Sequence, residues 1–569
     1  MSSYAIYTSS GETWISYDTA PNSLLAFRLL EDHRLDFDLF RGSYFTALGG
    51  QYAFTEAPNG HLTSVFPIGA AIVTLPIYAA FWLTGRGSEL PAINSPAFEP
   101  LRQHYERMAA ALVAAVSVGV FFLCARKIAD PKRAVIATAV YALATSIWSI
   151  ASQVLCQHGP VNLFVLAMTY ALLQATSARA PVNRSRWVIA AGLLAGFLPV
   201  IRPTAILFSI AGSIFVWSKF RNRRLGFFAA LLIGAAPGLM WNGYFFYSPL
   251  GGYAADAHEY ALSPHHAFTT LAALLVSPSR GLFVFSPVLA FSIIGAVNAW
   301  RVRDHTARLI LLLAIACAVL ILQYAFYRYW WAGFSYGPRF QTDAVGIAAL
   351  LLVYAIPRNV LSSARRSAGS ALAAIMFILT CLFSVIVQFV GLNSGAAGSE
   401  WPAVPISVDH EPDRVWLVAD SQIERNIRAA YFRFFAWDRA RSPAYDRGLA
   451  AHVTALSPSF AQVAKSSSID ATAVVHTDGR SRAYGYDSGV YVGQLRVRVR
   501  IINAQKQTVS EQYLFVRGTP GMGESTVAIG TLAMPAQPGR YVLESVPVLV
   551  GGGALEQPPT PFQVVVHIV

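Results

Sequence analysis

The first candidate for chemistry is a lone carboxylate near the start of the chain. Asp18 lies in the polar turn Ser16-Tyr17-Asp18-Thr19, before the amphipathic stretch Leu24–Leu30, and Asn22 lies between the turn and this stretch. A carboxylate in a partly dry site can act as general base on an acceptor hydroxyl. Asp18 can also cap the helix that follows it, and on the residues alone this capping role is the commoner one.

Two arginines beside apolar runs are candidates for binding a phosphate. Arg202 lies in Leu198-Pro-Val-Ile-Arg-Pro-Thr204, and Arg280 lies in Ser277-Pro-Ser-Arg-Gly-Leu282. A guanidinium at either place could hold a phosphate through two parallel hydrogen bonds. The alternative is that each arginine extends toward lipid head groups, with its stem along apolar surface.

The segment 327–343 is the richest in polar and aromatic side chains between two apolar runs. Gly333, Gly337 and Pro338 favour a shaped loop over a continuing helix. Flat rings beside cations suit sugar faces and phosphates, although aromatic residues at a membrane interface commonly form an anchoring belt. The candidates here are Trp330, Trp331, Tyr336, Arg339 and Asp343.

Gln157 and His158 join two further apolar runs in Cys156-Gln-His-Gly-Pro160. His158 either contacts a substrate or holds its loop in place. The chain contains no phosphate-binding Walker loop, dinucleotide fingerprint, HExxH or GxSxG motif. We therefore predict no cofactor and assign no metal site, and a divalent metal stays open as an alternative.

The composition indicates the class of protein, and the apolar runs indicate the helices that must position these residues. Of 569 residues, 55% are apolar and only 13% are charged, which is about half the usual share for a globular protein. Soluble, disordered and collagen-like classes are excluded, and a polytopic membrane protein remains. Apolar runs of spanning length lie at 108–126, 134–155, 159–178, 187–201, 203–218, 225–246, 281–300, 309–326, 341–357 and 370–391.

The formal net charge of +13 is a topology signal and does not indicate a nucleic-acid partner. The basic residues gather in short clusters at 126–133, 179–186, 219–224, 301–308 and 358–366, each between apolar runs. Such clusters are typical of cytoplasmic loops, so ten spans alternate without conflict and the remaining charges face outward. The run 62–83 contains Pro67, Gly69 and Pro76, and we predict a helix along the outer interface, with an eleventh span as the alternative.

These patterns divide the chain into four regions. We predict an outer segment with juxtamembrane helices at 1–106, a helical membrane domain at 107–392, a mixed linker at 393–484 and an all-β sandwich at 485–569. The sandwich is indicated by alternating strands such as Val490 to Ile501, separated by glycine and proline turns. The polar start has no apolar anchor, so we expect a first span upstream of Met1, with the alternative that this segment crosses the membrane together with the next helix.

Taken together, these segments resemble the GT-C superfamily of integral-membrane glycosyltransferases, near the bacterial family 39 and protein O-mannosyltransferase type. The resemblance covers roughly residues 10–440. Its outer acidic segment and interfacial helix are matched by Tyr17-Asp18-Thr19 with Asn22, Ser64-Val-Phe-Pro-Ile-Gly-Ala70 and Leu75-Pro-Ile-Tyr78. The later segments are matched at 152–160, Arg202-Pro203, 277–282 and 330–339, and Pro538–Leu543 resembles small β-sandwiches of carbohydrate-handling proteins.

The resemblance implies transfer of a sugar from a polyprenyl-phosphate donor to an envelope acceptor (a glycan, lipid or protein). It places the reaction on the outer face of a bacterial inner membrane, with the C-terminal domain in the periplasm. Asp18 would act as base, while Arg202, Arg280 and Arg339 would bind the donor phosphate. The remaining substrate-binding candidates are Asn22, Gln157, His158, Trp330, Trp331, Tyr336 and Asp343. The family often carries a second acid beside the first, but here Thr19 follows Asp18.

Two other functions remain open at this stage. The chain could be a transporter or flippase for lipid-linked sugars, which would more often carry charges at mid-depth between repeated halves. It could also be a non-enzymatic membrane protein that presents a glycan-binding domain.

The basic clusters make a prediction about orientation. A reporter fused after Ser394 is expected to lie in the periplasm, because every basic cluster before it faces the cytoplasm in the predicted topology. Alkaline phosphatase and a cytoplasm-dependent fluorescent protein, fused at the same residue, give opposite readouts. Cytoplasmic reporter activity would overturn the topology.

Overall fold

The computed structural model describes residues 2–9, 17–43, 50–84, 90–253, 259–260, 264–356, 368–435, 448–457, 462–551, 555 and 559–568. The predicted basic cluster at 358–366 therefore lies outside the described residues. The chain forms two compact units. The first contains residues 1–330 and 337–389, and the second contains residues 331–336 and 390–569.

The first unit is helical. Its N-terminal part contains α1 (Ser2–Ser9), α2 (Ala20–Asp32), a small hairpin of β1 (Phe54–Glu56) and β2 (Leu62–Ser64), and α3 (Gly69–Thr84). Next come α4 (Glu99–Ile128), α5 (Pro131–Leu143), α6 (His158–Ser177), α7 (Pro181–Ile201), α8 (Ile206–Lys219) and α9 (Arg224–Phe246). The last helices are α10 (Pro264–Val276), α11 (Leu282–Phe285), α12 (Phe291–Val302), α13 (His305–Ala325), α14 (Val345–Ala355) and α15 (Ala368–Asn393).

The helices confirm the multi-pass membrane class. Within the described residues, six helices are long and apolar enough to cross a membrane: Pro96–Ile128, His158–Ser177, Pro181–Ile201, Arg221–Phe246, His305–Ala325 and Ala371–Asn393. The other four predicted spans, at 134–155, 203–218, 281–300 and 341–357, fall on shorter or interrupted helices. In the first of these, α5 ends at Leu143 and one π-helical turn follows at Ile147–Ala151.

The run 62–83 is also divided, because strand β2 precedes helix α3. Pro76 lies inside this helix of 16 residues. One face of α3 joins an aromatic core with α2 and the start of α4. In this core the Phe27 ring packs edge-on against Tyr78 and Phe98, with centroids 5.3 and 5.0 Å away. This core holds the N-terminal segment on the helical bundle.

The second unit contains α16 (Gly395–Ser399), α17 (Gln422–Phe435) and an eight-stranded sheet. The strands are β3 (Ala451–Ser457), β4 (Gln462–Val463), β5 (Ser468–Thr477), β6 (Leu495–Ile502), β7 (Thr508–Val516), β8 (Ser525–Ala533), β9 (Gly539–Leu549) and β10 (Phe562–Ile568). Their order is β3-β5-β8-β7-β6-β9-β10-β4, and all pairs are antiparallel except β10 with β4.

The predicted C-terminal all-β domain is confirmed, and it starts earlier than the sequence predicted. Strands begin at Ala451, inside the segment expected to be a mixed linker up to 484. The sheet curls on itself, so that β3 contacts β9 and β10. Along β6, Leu495, Val497, Val499 and Ile501 are fully buried while the arginines between them point outward, which is the alternation that identified this strand.

Helices α7 and α9 pack closely through glycines. Gly192 and Gly196 on α7 are spaced like the small-residue pairs that let membrane helices approach. A Cβ added at Gly196 would collide with the Leu231 carbonyl oxygen, and one at Gly192 would collide with the Phe227 carbonyl oxygen. The backbones can therefore approach this closely only because these side chains are absent.

This contact predicts a steric effect. Gly196→Ala is expected to destabilise the protein by about 1–3 kcal/mol, because the added methyl group forces two helices apart. Gly119→Ala on α4 is the matched control, since open space surrounds its Cβ position, and it is expected to be neutral or slightly stabilising. Thermal unfolding in detergent measures both variants. Equal midpoints would show that α7 and α9 are not tightly packed at Gly196.

Candidate active site

Asp18 lies in a 3-10 turn, Tyr17–Thr19, immediately before α2. Its Oδ2 atom accepts a hydrogen bond from Arg339 Nη2 at 2.6 Å, and its Oδ1 atom accepts one from the Tyr52 hydroxyl. The residue at the capping position of α2 is Thr19, and the Asp18 carboxylate is directed to Arg339 and Tyr52. The contacts of the Asp18 carboxylate are therefore with these two side chains, and its role as a site residue stays a prediction.

Asp18 is held in its ionised form. Burial opposes its charge, but the Arg339 guanidinium and the Tyr52 hydroxyl outweigh burial and hold the pKa of the Asp18 carboxyl below its usual value. The side chain remains one quarter exposed (25%), against 15% for Arg339. Burial and the Asp18 charge raise the pKa of the Tyr52 phenol, so Tyr52 stays protonated and donates. The carboxylate is thus charged and accessible.

A second carboxylate, Glu106 on α4, fixes the turn that carries Asp18. It accepts hydrogen bonds from the Thr19 hydroxyl, from the Leu155 backbone N–H at 3.2 Å and from Ser23 Oγ at 3.4 Å. Arg102 Nη1, one turn earlier on α4, is 2.5 Å from Glu106 Oε2. All these side chains are buried. This network attaches the N-terminal turn to a spanning helix.

Sequence reasoning missed Glu106 although a signal was present. Glu99, Arg102 and Glu106 lie at helical spacing in the first two turns of α4, directly before an apolar run. Arg102 pairs with Glu99 at 2.7 Å and with Glu106 at 2.5 Å. Charges at i, i+3 and i+7 at the start of a span indicate a paired, buried cluster.

A second polar cluster, beside the Asp18–Arg339 pair, consists of Arg202, His158 and Asp343. His158 Nδ1 is 2.7 Å from Asp343 Oδ1, and Arg202 Nε is 3.3 Å from Asp343 Oδ2. Arg202 Nη1 also lies 3.1 and 3.2 Å from the two ring nitrogens of His158, and its Nη2 donates to the Tyr324 hydroxyl at 2.7 Å. Arg202 therefore points into the protein, which argues against its extending to head groups.

The Asp18–Arg339 pair and the Arg202–His158–Asp343 cluster are linked along the chain and by electrostatic interactions. Arg339 directly precedes the 3-10 turn Phe340–Ala344, which carries Asp343. Arg339 interacts electrostatically with Asp18 and with Arg202, and its charge also reaches Asp343. The structure thus assembles Asp18, Arg202, Arg339 and Asp343 with His158 at helix ends that the charge pattern predicts to face outward.

The remaining predicted site residues make other contacts. Asn22 donates to the Leu155 carbonyl oxygen at 3.0 Å and so holds the loop before α6, where buried Gln157 precedes the helix. Arg280 is buried and its Nη1 donates to the Ser279 carbonyl oxygen at 3.0 Å. Trp330 is a buried residue of the first unit.

Trp331 and Tyr336 belong to the second unit. Trp331 Nε1 donates to Asp409 Oδ1 at 2.7 Å, and the Tyr336 ring lies against Gly391. Segment 327–343 is therefore divided between the two units. The side chains of Trp331 and Tyr336 contribute to the packing of the second unit.

Among the described residues, one compact group of possible metal ligands lies in the first unit. Ligand atoms of Asp36, Asp38 and His61 all lie within 4.8 Å of one another. However, Arg28 is 3.1 Å from Asp36 and Arg41 is 3.0 Å from Asp38. These cations already neutralise both carboxylates, so the cluster is an ion-pair network and does not favour a divalent cation.

Comparisons with known proteins confirm the predicted resemblance over one segment. Residues 103–241 match the family model described as dolichyl-phosphate-mannose-protein mannosyltransferase. A search of curated protein sequences found no match.

Solved structures of similar arrangement include ArnT from Cupriavidus metallidurans bound to undecaprenyl phosphate, at 12% identity and a TM-score of 0.42, covering 82% of this chain and 80% of that one. The apo oligosaccharyltransferase of Archaeoglobus fulgidus aligns at 13% identity and a TM-score of 0.39, covering 73% of this chain. The match spans 59% of that enzyme, so the chain covers less than two thirds of its length.

The buried cluster predicts a large stability effect at Asp343, whose side chain is only 1% exposed. Asp343→Asn is expected to cost about 3–5 kcal/mol, because it leaves the Arg202 charge without its carboxylate in a buried environment. Glu56→Gln, in the exposed pair with Arg41, is the matched control and should leave the thermal midpoint nearly unchanged. Similar midpoints for both variants would show that Arg202 does not depend on Asp343.

Proposed function

We propose that the chain is an integral-membrane glycosyltransferase that moves a sugar from a polyprenyl-phosphate donor to a hydroxyl acceptor of the cell envelope. The observation that carries the proposal is the Asp18–Arg339 ion pair: an ionised, accessible carboxylate beside a cation, 321 residues apart in sequence, in an apolar protein. The family-model match over residues 103–241 supports the reaction class.

In the proposed reaction the acceptor oxygen attacks C1 of the donor sugar while Asp18 takes the acceptor proton. The bond between C1 and the phosphate oxygen breaks, and the lipid phosphate leaves with the electron pair. Protonation neutralises Asp18, so Arg339 loses its counter-ion at the moment when the leaving phosphate gains a second negative charge. The positive charge of Arg339 then stabilises the leaving group.

Arg202 has a supporting role in this proposal. Its guanidinium is oriented by Asp343, His158 and Tyr324, and it adds positive potential beside Arg339. The fully buried carboxylate of Asp343 holds Arg202 in place and is not a second base. The reaction is proposed on the outer face of a bacterial inner membrane, on the basis of the basic clusters, with the β domain in the periplasm.

Sugar transfer by the purified full chain tests this proposal. A panel of labelled polyprenyl-phosphate sugars is offered with a crude cell-envelope acceptor. Asp18→Asn preserves the shape of the side chain but removes the base, and it is expected to lower turnover by at least about a hundredfold. Asp32→Asn, near the end of α2 and partly exposed, is the control that should retain transfer.

A further arm of the assay tests the cation. Arg339→Ala is expected to lower turnover at least about tenfold, equivalent to about 1.4 kcal/mol of barrier. Transfer retained in Asp18→Asn would keep the enzyme and remove Asp18 as the base. No transfer with any donor, from folded and membrane-inserted protein, would favour a transporter or a glycan-binding protein.

A further inference from the structure

The outer face of the β domain carries a histidine pair that the proposed reaction does not use. His452 on β3 and His476 on β5 are direct partners in the antiparallel register. Directly opposite residues leave the same face of a sheet, with Cβ atoms about 4.5–5.5 Å apart. The two imidazole centroids are 5.4 Å apart. The sheet therefore places two nitrogen ligands side by side.

A carboxylate completes this group from the turn after β5. Asp478 Oδ2 is 2.6 Å from His452 Nδ1, and Asp478 Oδ1 is 3.3 Å from His476 Nε2. The backbone N–H of Asp478 donates to the Ala450 carbonyl oxygen at 2.9 Å, which fixes the turn. One nitrogen from each ring thus faces the same carboxylate.

A fourth side chain orients one of the rings. Ser525 Oγ, on the neighbouring strand β8, is 2.9 Å from His476 Nδ1. With Nδ1 held by a hydroxyl, Nε2 is the nitrogen directed at Asp478. Histidines that bind metals characteristically use their other ring nitrogen for such a hydrogen bond, which sets the orientation of the ring.

The charge balance distinguishes this group from the Asp36–Asp38–His61 network. In that network both acids pair with arginines. In the described part of the chain, the ion-pair partners of Asp478 are the two histidines. Among the described residues, no arginine or lysine forms an ion pair with Asp478, so the carboxylate keeps the negative charge that a cation site requires.

We propose that His452, His476 and Asp478 bind a late first-row divalent cation of the Zn²⁺ class. Two imidazoles and one carboxylate form a ligand set that such ions prefer, with water completing the coordination. The side chains are 45%, 30% and 49% exposed, respectively. They can therefore rotate to close the remaining distance between the two rings, and the cation would bridge β3 to the turn after β5.

Zn²⁺ titration of the purified full chain tests this site, with calorimetry for affinity and Co²⁺ absorption as a spectroscopic probe. The protein is purified without a polyhistidine tag and stripped with a chelator. Wild type is expected to bind Zn²⁺ saturably, and both His452→Gln and His476→Gln are expected to lose this binding. Ser525→Ala should weaken it by about tenfold or more, and unchanged affinity would refute the orienting role of Ser525.

Two controls make the experiment specific. His567→Gln, at an exposed position on β10, and His61→Gln, in the arginine-paired network, should bind Zn²⁺ like wild type. Circular dichroism verifies that each variant retains its sheet. Absence of saturable binding in folded wild type, or binding that is lost in His61→Gln and kept in His476→Gln, would overturn the proposal. None of these outcomes depends on sugar transfer.

Discussion

The first unit depends on the requirement that charges in an apolar protein be paired. A charged side chain away from water is costly unless a counter-charge and hydrogen bonds compensate it. Asp18 meets this requirement through Arg339, and Asp343 meets it through Arg202 and His158. Each pair joins distant parts of the chain, so the same interactions that make burial tolerable also assemble the two neighbouring polar clusters.

The positioning of Asp18 rests on a further set of pairs. Glu106 receives hydrogen bonds from the turn that carries Asp18 and from the loop before α6, while Arg102 compensates its charge. The aromatic core around Phe27 packs α2 onto α3 and α4. A polar network and an apolar core therefore act on the same short segment, and together they hold a carboxylate that would otherwise lie on a solvated turn.

The sequence was sufficient where a local pattern carried the information. Apolar length identified α4, α6, α7, α9, α13 and α15, and alternation identified β6 to β10. It was insufficient for β5, whose buried face includes Ala471 and Ala473 and so shows little hydrophobic contrast with its outer face. It also could not pair Asp18 with Arg339, because a contact across 321 residues depends on tertiary packing and leaves no local periodicity. Glu106 was predictable only in part. Its helical spacing from Arg102 is visible in the sequence, but its contact with the turn that carries Asp18 is not.

The ion pair also resolves a difficulty in the proposed chemistry. An aspartate whose pKa is held below its usual value is a weak base, and Arg339 is a main cause of that depression. A donor phosphate bound at Arg339 would share the cation and reduce its field at Asp18, so the pKa of Asp18 would rise toward its ordinary value. Asp18 would then become more basic only when the donor is present. This coupling is part of the proposed reaction, in which the guanidinium that pairs with Asp18 also binds the donor phosphate.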